Sequence, residues 1–246
     1  MYYAPRRYAI LGDVHANLVA LDAVLADCRE QGVTNYACVG DLVGYNAQPI
    51  PCLDRLRELC GPNIVRGNHD HVCSNDDPLL GFHPLASAVV KWTREQLDPE
   101  RVAFLSSLPY TRTVETFMMV HATLDTPESW GYIFDKLEAE VSFSYQMSPV
   151  CFFGHSHVPL AFEKAGIIRG GLYHQLVIAP GRKYLINVGS VGQPRDGDPR
   201  AAYTIYDLAS HTVELRRVPY DVAAAQKLIR EAGLPERAAA RLAVGR

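Results

Sequence analysis

No stretch of the sequence approaches the ~20 consecutive apolar residues that a membrane-spanning helix requires, so no membrane role is expected. The amino-terminal segment offers only Tyr8, Ala9, Ile10 and Leu11 between Arg6-Arg7 and Gly12-Asp13. That run is too short for a signal-peptide core. Basic charge is not in excess either: 24 Lys and Arg face 27 Asp and Glu, a formal net charge of −3. Nucleic-acid backbones are gripped by clustered Lys and Arg, so general nucleic-acid binding is not expected, whereas a local site for a small phosphate compound stays open. None of the six cysteines (Cys28, Cys38, Cys52, Cys60, Cys73, Cys151) forms a Cys-x-x-Cys pair, and several sit in apolar runs such as Val150-Cys151-Phe152-Phe153. They read as buried thiols of a reducing compartment, and the expected location is the cytoplasm. There is no Gly-x-Gly-x-x-Gly fingerprint and no P-loop. Gly154-His-Ser-His-Val158 lacks the final glycine of a nucleophile elbow, which sets aside a serine hydrolase.

What is present is a globular pattern. Apolar residues make up 48% of the 246 and charged residues 21%, as in ordinary soluble domains. Tyr8–Leu11 reads as a buried strand ended by Gly12. Asn17 caps a helix whose apolar positions Leu18, Leu21, Val24 and Leu25 recur at helical spacing. Tyr36–Val39 and Asn63–Arg66 read as further strands around a helix over Pro51–Leu59. This alternation predicts a mainly parallel sheet with helices packed on it. Helices follow over Leu85–Leu97 and, with Asp98 as cap and Pro99 in the first turn, to about Ser107. Phe117–His121 and Val150–Phe153 read as strands flanking a helix over Phe134–Tyr145. Beyond residue 158, strands are expected over Leu160–Glu163, Leu172–Ile178, Tyr184–Val188, Ala201–Tyr206 and Thr212–Val218. Gly166, Gly170-Gly171 and Gly181 mark the turns. A last helix runs from about Asp221 to Gly233. No repeat, low-complexity tract or linker interrupts the chain, so residues 1–246 read as one domain in which a second sheet packs on the first.

Five loops, each after an expected strand, carry metal-type side chains: Gly12-Asp13-Val14-His15-Ala16-Asn17, Gly40-Asp41-Leu42-Val43-Gly44, Gly67-Asn68-His69-Asp70, His121 closing Met118-Met119-Val120, and Gly154-His155-Ser156-His157. Taken singly, most have an ordinary reading. Asp-x-His and Gly-Asp are common turns with a capping Asp, Asn and Asp form turns, and a histidine ending a strand is usually structural. His-x-His after glycine is a moderate metal signal. Ordinary turns do not account for all five at successive strand ends, where ligands of α/β sheets gather.

In this order the five motifs, spanning roughly the first two thirds of the chain, resemble those of the calcineurin-like metallophosphoesterase superfamily. They are most similar to its small, stand-alone prokaryotic phosphoesterases. The similarity continues in Asn187-Val-Gly-Ser190 and Gly192-Gln-Pro-Arg195. It implies a four-layer α/β/β/α sandwich of two packed mixed sheets, the metallo-dependent phosphatase-like fold, with two metal ions at one edge. The strand-rich last third is expected to supply the second sheet. Carried over, Asp13, His15 and His157 would bind one ion, Asn68, His121 and His155 the other, and Asp41 both. Imidazole and carboxylate donors suit Mn, Zn, Fe or Ni. Only two of the seven donors are anionic, so the ions keep positive charge for an anionic ester. The implied activity is hydrolysis of phosphate esters, more specifically phosphodiesters, by a metal-bridging hydroxide. By the same resemblance His69 is the general acid, with Asp70 holding its ring. The substrate is expected to be a small phosphate ester or nucleotide. Other readings are a phosphomonoesterase or protein phosphatase, a dinucleoside polyphosphate hydrolase, and a non-catalytic scaffold, which the presence of every ligand and of His69 disfavours.

One position departs from the pattern. Many members carry Asp or His three residues after the Gly-Asp aspartate, where this chain has Gly44. Among neighbouring residues, Arg66 is as consistent with a carboxylate pair as with a phosphate. Arg195 and Arg200 are expected to pair with Asp196 and Asp198. Tyr45 and Asn46 are expected at the cleft, and His71, His83, His174 and His211 are not expected to be ligands. Specificity is expected to reside in the loops around residues 71–83 and 123–133.

Overall fold

The computed structural model describes residues 6–76, 78–79 and 83–246. Residues 77 and 80–82 of the expected 71–83 specificity loop lie outside the described residues. The chain opens with strand β1 (Arg7–Leu11), helix α1 (Leu18–Glu30), β2 (Asn35–Cys38), α2 (Pro49–Cys60), a short α3 (Asn68–Cys73), α4 (Pro84–Gln96) and α5 (Pro99–Ser107). Then come β3 (Thr111–Val114), β4 (Phe117–Val120), α6 (Lys136–Tyr145) and β5 (Val150–Phe153). The remainder holds β6 (Ala161–Ala165), β7 (Ile167–Gly171), β8 (Gln175–Val177), β9 (Lys183–Asn187), β10 (Ala201–Asp207), β11 (Thr212–Val218), α7 (Val222–Glu231) and α8 (Glu236–Leu242).

Two sheets result, ordered β2-β1-β10-β11-β8 and β3-β4-β5-β9-β6-β7. Both are mixed rather than mainly parallel. Only β1–β2, β4–β5 and β5–β9 run parallel; the late strands join antiparallel. The expectation that the last third forms the second sheet is likewise corrected: β8, β10 and β11 complete the first sheet, and β6, β7 and β9 the second. Residue type could not assign them, because strands of both sheets carry the same apolar load.

The four layers follow from period-two alternation. In β1, Tyr8 and Ile10 face the space between the sheets, while Ala9 and Leu11 face α1 and α2. In β4 and β5, Phe117, Met119, Val150 and Phe152 enter the same inter-sheet core, while Met118, Val120, Cys151 and Phe153 meet Ala139 and Phe143 of α6. Strands buried on both faces read as continuous apolar runs, which is why they stood out in sequence. Each fully buried Phe or Ile adds roughly 1.5–3 kcal/mol, so the strand ends, and the loops they carry, are held by the core.

Some local expectations are replaced. Asn63–Arg66 makes a single parallel bridge, Cys38 to Ile64, after which the Arg66 N–H donates to the Pro109 carbonyl at 2.8 Å and the chain leaves the sheet. Leu172–Ile178 is not one strand: β7 runs through Gly170-Gly171, and β8 pairs in the other sheet. The segment Asn68–Cys73 begins a helical turn rather than a loop, and α8 starts directly after Pro235. No helix among the described residues is long and apolar enough to cross a membrane.

Candidate metal centre

The donor loops leave β1, β2, β4 and β5 at the same ends of the two sheets and are tied together by main-chain bonds. Asp13 N–H donates to the Gly40 carbonyl (3.0 Å), His15 N–H to Asp41 (2.9 Å) and Gly154 N–H to His121 (3.0 Å). The Asn187–Ser190 segment braces them. Asn187 Nδ2 donates to the Gly154 carbonyl (2.6 Å), and Ser190 Oγ to that of Asp13 (2.8 Å). Gly67 permits closest approach: a Cβ there would stand 2.7 Å from Asp41 Cγ. Asp13, His15, Asp41, His155 and His157 all have positive φ, between 47° and 66°. Left-handed backbone at non-glycine residues costs of order 1–3 kcal/mol each and gathers at functional sites. Nothing in residue type announced it.

The donor atoms converge. His15 Nε2 lies 3.1 Å from His157 Nε2, and His157 Nε2 lies 3.1 Å from Asp13 Oδ1. Asn68 Oδ1 lies 3.1 Å from His121 Nε2 and 3.0 Å from His155 Nδ1. Asp41 joins the two groups, its Oδ2 standing 3.4 Å from both His15 Nε2 and His121 Nε2. Its Oδ1 is fixed by the His69 N–H at 2.9 Å. All are buried except Asn68, which is half-buried at the mouth of the site. Asp13, His15, Asp41 and His157 alone form a four-donor group whose ligand atoms lie within 4.8 Å of one another.

The tautomers follow from the partners. His15, His121 and His157 each turn Nδ1 toward a main-chain carbonyl, of Val43 (3.0 Å), Val39 (2.8 Å) and Gln193 (2.6 Å). A carbonyl only accepts, so Nδ1 carries the hydrogen and Nε2 presents its lone pair when the ring is neutral. Two such lone pairs 3.1 Å apart, beside two carboxylates, repel unless a cation lies among them. The donor set therefore fits divalent metal.

The titration pattern agrees. Burial drives His15 and His157 well below the ordinary histidine value and His155 down to about 3. His121 is the exception. Burial alone would lower it, but the adjacent Asp41 carboxylate raises it to about 9. Burial raises Asp13, whereas the neighbouring His121 and His15 hold Asp41 well below the carboxylate range despite its burial.

Asp70 does not hold the His69 ring. Its Oδ2 accepts main-chain N–H groups from Asp41 (2.8 Å) and Gly67 (3.0 Å), and its Oδ1 those of Leu42 (2.8 Å) and Val43 (3.3 Å). It ties the Asp41 loop to α3. Burial, then Asp41, push its pKa up to about 7 against the pull of those amides. His69 is instead packed between Tyr45 (ring centroids 4.5 Å) and His15 (4.8 Å), with its Nδ1 edge on Gly44. A Cβ at Gly44 would stand 2.9 Å from His69 Cγ and closer still to Nδ1. The imidazole thus fills the space beside the position where many relatives bear a side chain. Burial, with Arg195 adding to it, lowers His69 to about 4, so its ring is neutral in the substrate-free site.

A hollow of about 340 Å³ opens over this cluster, walled by Tyr45, Asn68, His69, Trp130, Tyr132 and His155. Tyr132 stacks on His155 at 4.2 Å. Trp130 and Tyr132 place the expected 123–133 loop at the cleft, and His83 lines it too. Tyr45 lines the cleft, but Asn46 is buried, donating to the His15 carbonyl at 2.8 Å. Arg66 turns away to the Ser106 carbonyl and lies over Tyr110. Arg200 pairs with Asp198 as expected, but Asp196 pairs with Arg217, which leaves Arg195 over the Tyr45 ring.

Comparison with known proteins bears on the family and the fold. Residues 7–211 match the calcineurin-like phosphoesterase superfamily domain. The chain is 36% identical over 244 residues to the uncharacterised protein MJ0912 of Methanocaldococcus jannaschii, covering 97% of this chain and 98% of that one. It is 39% identical to a metallophosphoesterase from Sphaerobacter thermophilus, whose crystal structure superposes with a TM-score of 0.88 over 99% of this chain and all of that one. The fold is shared with the protein PH1004 of Pyrococcus horikoshii, at a TM-score of 0.79, 20% identity and 98% coverage of both.

Proposed function

The chain belongs to the calcineurin-like phosphoesterase superfamily, and from that premise we propose that it is a dinuclear metal-dependent phosphodiesterase. The observation that carries the reading is Asp41, whose Oδ2 stands equally far from an imidazole of each donor group. Asp13, His15 and His157 would hold one divalent ion, Asn68, His121 and His155 the second, and Asp41 both. Mn, Zn, Fe and Ni all suit such donors. When bound, two such ions supply the positive charge and water activation that phosphate hydrolysis needs.

The chain's own residues do the rest. Val43, Val39 and Gln193 carbonyls fix three imidazoles in the ligating tautomer. Tyr45, Trp130 and Tyr132 give the hollow aromatic rather than cationic walls, which suits a phosphorus bearing two organic arms. His69 faces that hollow. An anionic ester beside it favours the imidazolium, and the ring then protonates the departing alkoxide. The six buried thiols support a cytoplasmic location.

The test is hydrolysis of bis-p-nitrophenyl phosphate beside p-nitrophenyl phosphate, by protein stripped and reloaded in turn with Mn, Zn, Ni or Fe. Diester cleavage that needs metal is expected. Loss of an outer-shell partner alone costs ~10–100-fold, so Asp41→Asn is expected to cost more than that. Monoester cleavage alone would replace the reading with a phosphatase. Inactivity with metal demonstrably bound would favour a scaffold.

A further inference from the structure

Next to the donor hollow, and sharing Tyr45 and Tyr132 with it, lies a second cavity of about 430 Å³ whose remaining walls include Arg195, Arg237 and Arg241. Arg237 and Arg241 stand four residues apart on α8 and so share a face. The helix is seated by Ala238, Ala239 and Leu242, which pack with Val89 of α4 and Ile229 of α7. Arg195 and Arg241 both lie over the Tyr45 ring, their guanidinium carbons 5.3 and 5.9 Å from its centroid.

These arginines differ from others in the molecule. Arg101 is paired with Asp54 and Asp98, Arg216 with Asp27 and Glu214, Arg230 with Glu236. Among the described residues, no carboxylate side chain lies within ion-pair distance of Arg195, Arg237 or Arg241. Arg195 donates to the Gln193 side-chain carbonyl (2.8 Å), and Arg241 to a carboxyl oxygen of Arg246, the last residue of the sequence, which also lines the cavity. Burial and the neighbouring Arg195 and Arg237 lower the Arg241 pKa, a mark of crowded like charge. Guanidinium groups gathered with no acidic side chain among them, in a cavity opening beside a phosphoester site, suit an oxyanion that accepts several N–H bonds at once.

We propose that Arg195, Arg237 and Arg241 seat a second phosphoryl group, so that the substrate bears at least two phosphates, one hydrolysed at the donor cluster and another gripped beside Tyr45. The inference rests on the phosphoesterase reading and narrows its substrate to a polyphosphate-bearing class, with nucleoside polyphosphates as the probe.

The experiment compares kcat/KM of the metal-loaded protein on diadenosine polyphosphates of two to four phosphates with that on bis-p-nitrophenyl phosphate, which has one. Arg237 is exposed, so Arg237→Glu is compatible with folding; Arg241→Lys is the conservative companion. A charge-assisted hydrogen bond contributes about 1.5–3 kcal/mol, or roughly tenfold and more. Arg237→Glu is therefore expected to cut the polyphosphate-to-diester ratio at least about tenfold, through KM, and Arg241→Lys less. Competition by inorganic tripolyphosphate equal to that by the dinucleotide would identify the phosphate chain itself as the recognised group; weaker competition would add the nucleoside. An unchanged ratio in Arg237→Glu, or a wild type that favours the one-phosphate diester, overturns the proposal. Should loaded wild type cleave neither compound, the hydrolase reading fails instead, and calorimetric titration with inorganic pyrophosphate decides the arginine site. Binding weakened about tenfold by Arg237→Glu upholds it, and equal or absent binding refutes it.

Discussion

Replacing Gly44 by alanine tests whether the placement of the His69 imidazole matters to turnover. The added Cβ would stand 2.9 Å from His69 Cγ, where carbon contacts settle at about 3.5–4.0 Å, so the ring must retreat by about 1 Å. A displacement of that size at a reacting centre costs ~100-fold in rate. The backbone adds its own cost, since Gly44 has φ of +94° and alanine there is strained by about 1–3 kcal/mol. For a chain of this length each kcal/mol lowers Tm by roughly 2–4 °C. The control is Gly32→Ala, where φ is +66° but nothing lies within 4 Å of the new Cβ. Both variants are expected to melt several degrees early. Only Gly44→Ala is expected to lose kcat by about 100-fold while retaining its metal, measured by elemental analysis. Its loss should be steeper for diesters with poor leaving groups and should match that of His69→Ala. If Gly44→Ala turns over at the Gly32→Ala rate, the ring is not placed by Gly44. If His69→Ala keeps its kcat on a poor leaving group, the acid role itself is refuted.

Metal binding is expected to release about one proton per chain near neutral pH, because His121, with a metal-free pKa raised to about 9, must give up its proton to become a ligand. Calorimetry in buffers of different ionisation heat measures this, and affinity should strengthen as pH rises toward 9. The same group stabilises the metal-free fold fully below its unfolded value of about 6.5, a contribution lost as pH rises through about 9. Asp70→Asn turns an amide NH2 toward main-chain donors that now meet a carboxylate. It is expected to cost about 1–3 kcal/mol, read in denaturant melts, with turnover falling through disorder of the Asp41 loop.

The candidate donors were legible in sequence only as a set, because Asp13-x-His15 or Gly40-Asp41 alone reads as an ordinary turn and the order of five motifs carried the resemblance. The role of Asp70 was not legible, because its four amide donors come from segments 3 to 29 residues away and the ring next to it in sequence is not its partner. Nor was the destination of Arg195. Its expected partner Asp196 is taken by Arg217 from β11, a pairing that only the antiparallel β10–β11 register creates. Arg237 and Arg241 lie outside every motif and reach the cleft because α8 packs on α7 within the apolar cluster that also holds Val89 of α4. Sheet assignment failed for β8, β10 and β11, which extend the β1–β2 sheet instead of joining the second one.

The donor set is divided across the sandwich. Asp13, His15 and Asp41 hang from the first sheet, whereas His121, His155 and His157 hang from the second. An occupied centre is therefore a rivet through the two layers at one rim, whereas elsewhere they are joined by packing and a few tyrosine hydrogen bonds, such as Tyr184 to Val177 and Tyr173 to Thr204. Pulled apart mechanically, the loaded protein should yield first at the rim far from the metals, around β7 and β8, and the stripped protein at either rim. Shear stiffness of the whole sandwich then becomes a property of the ions the protein carries.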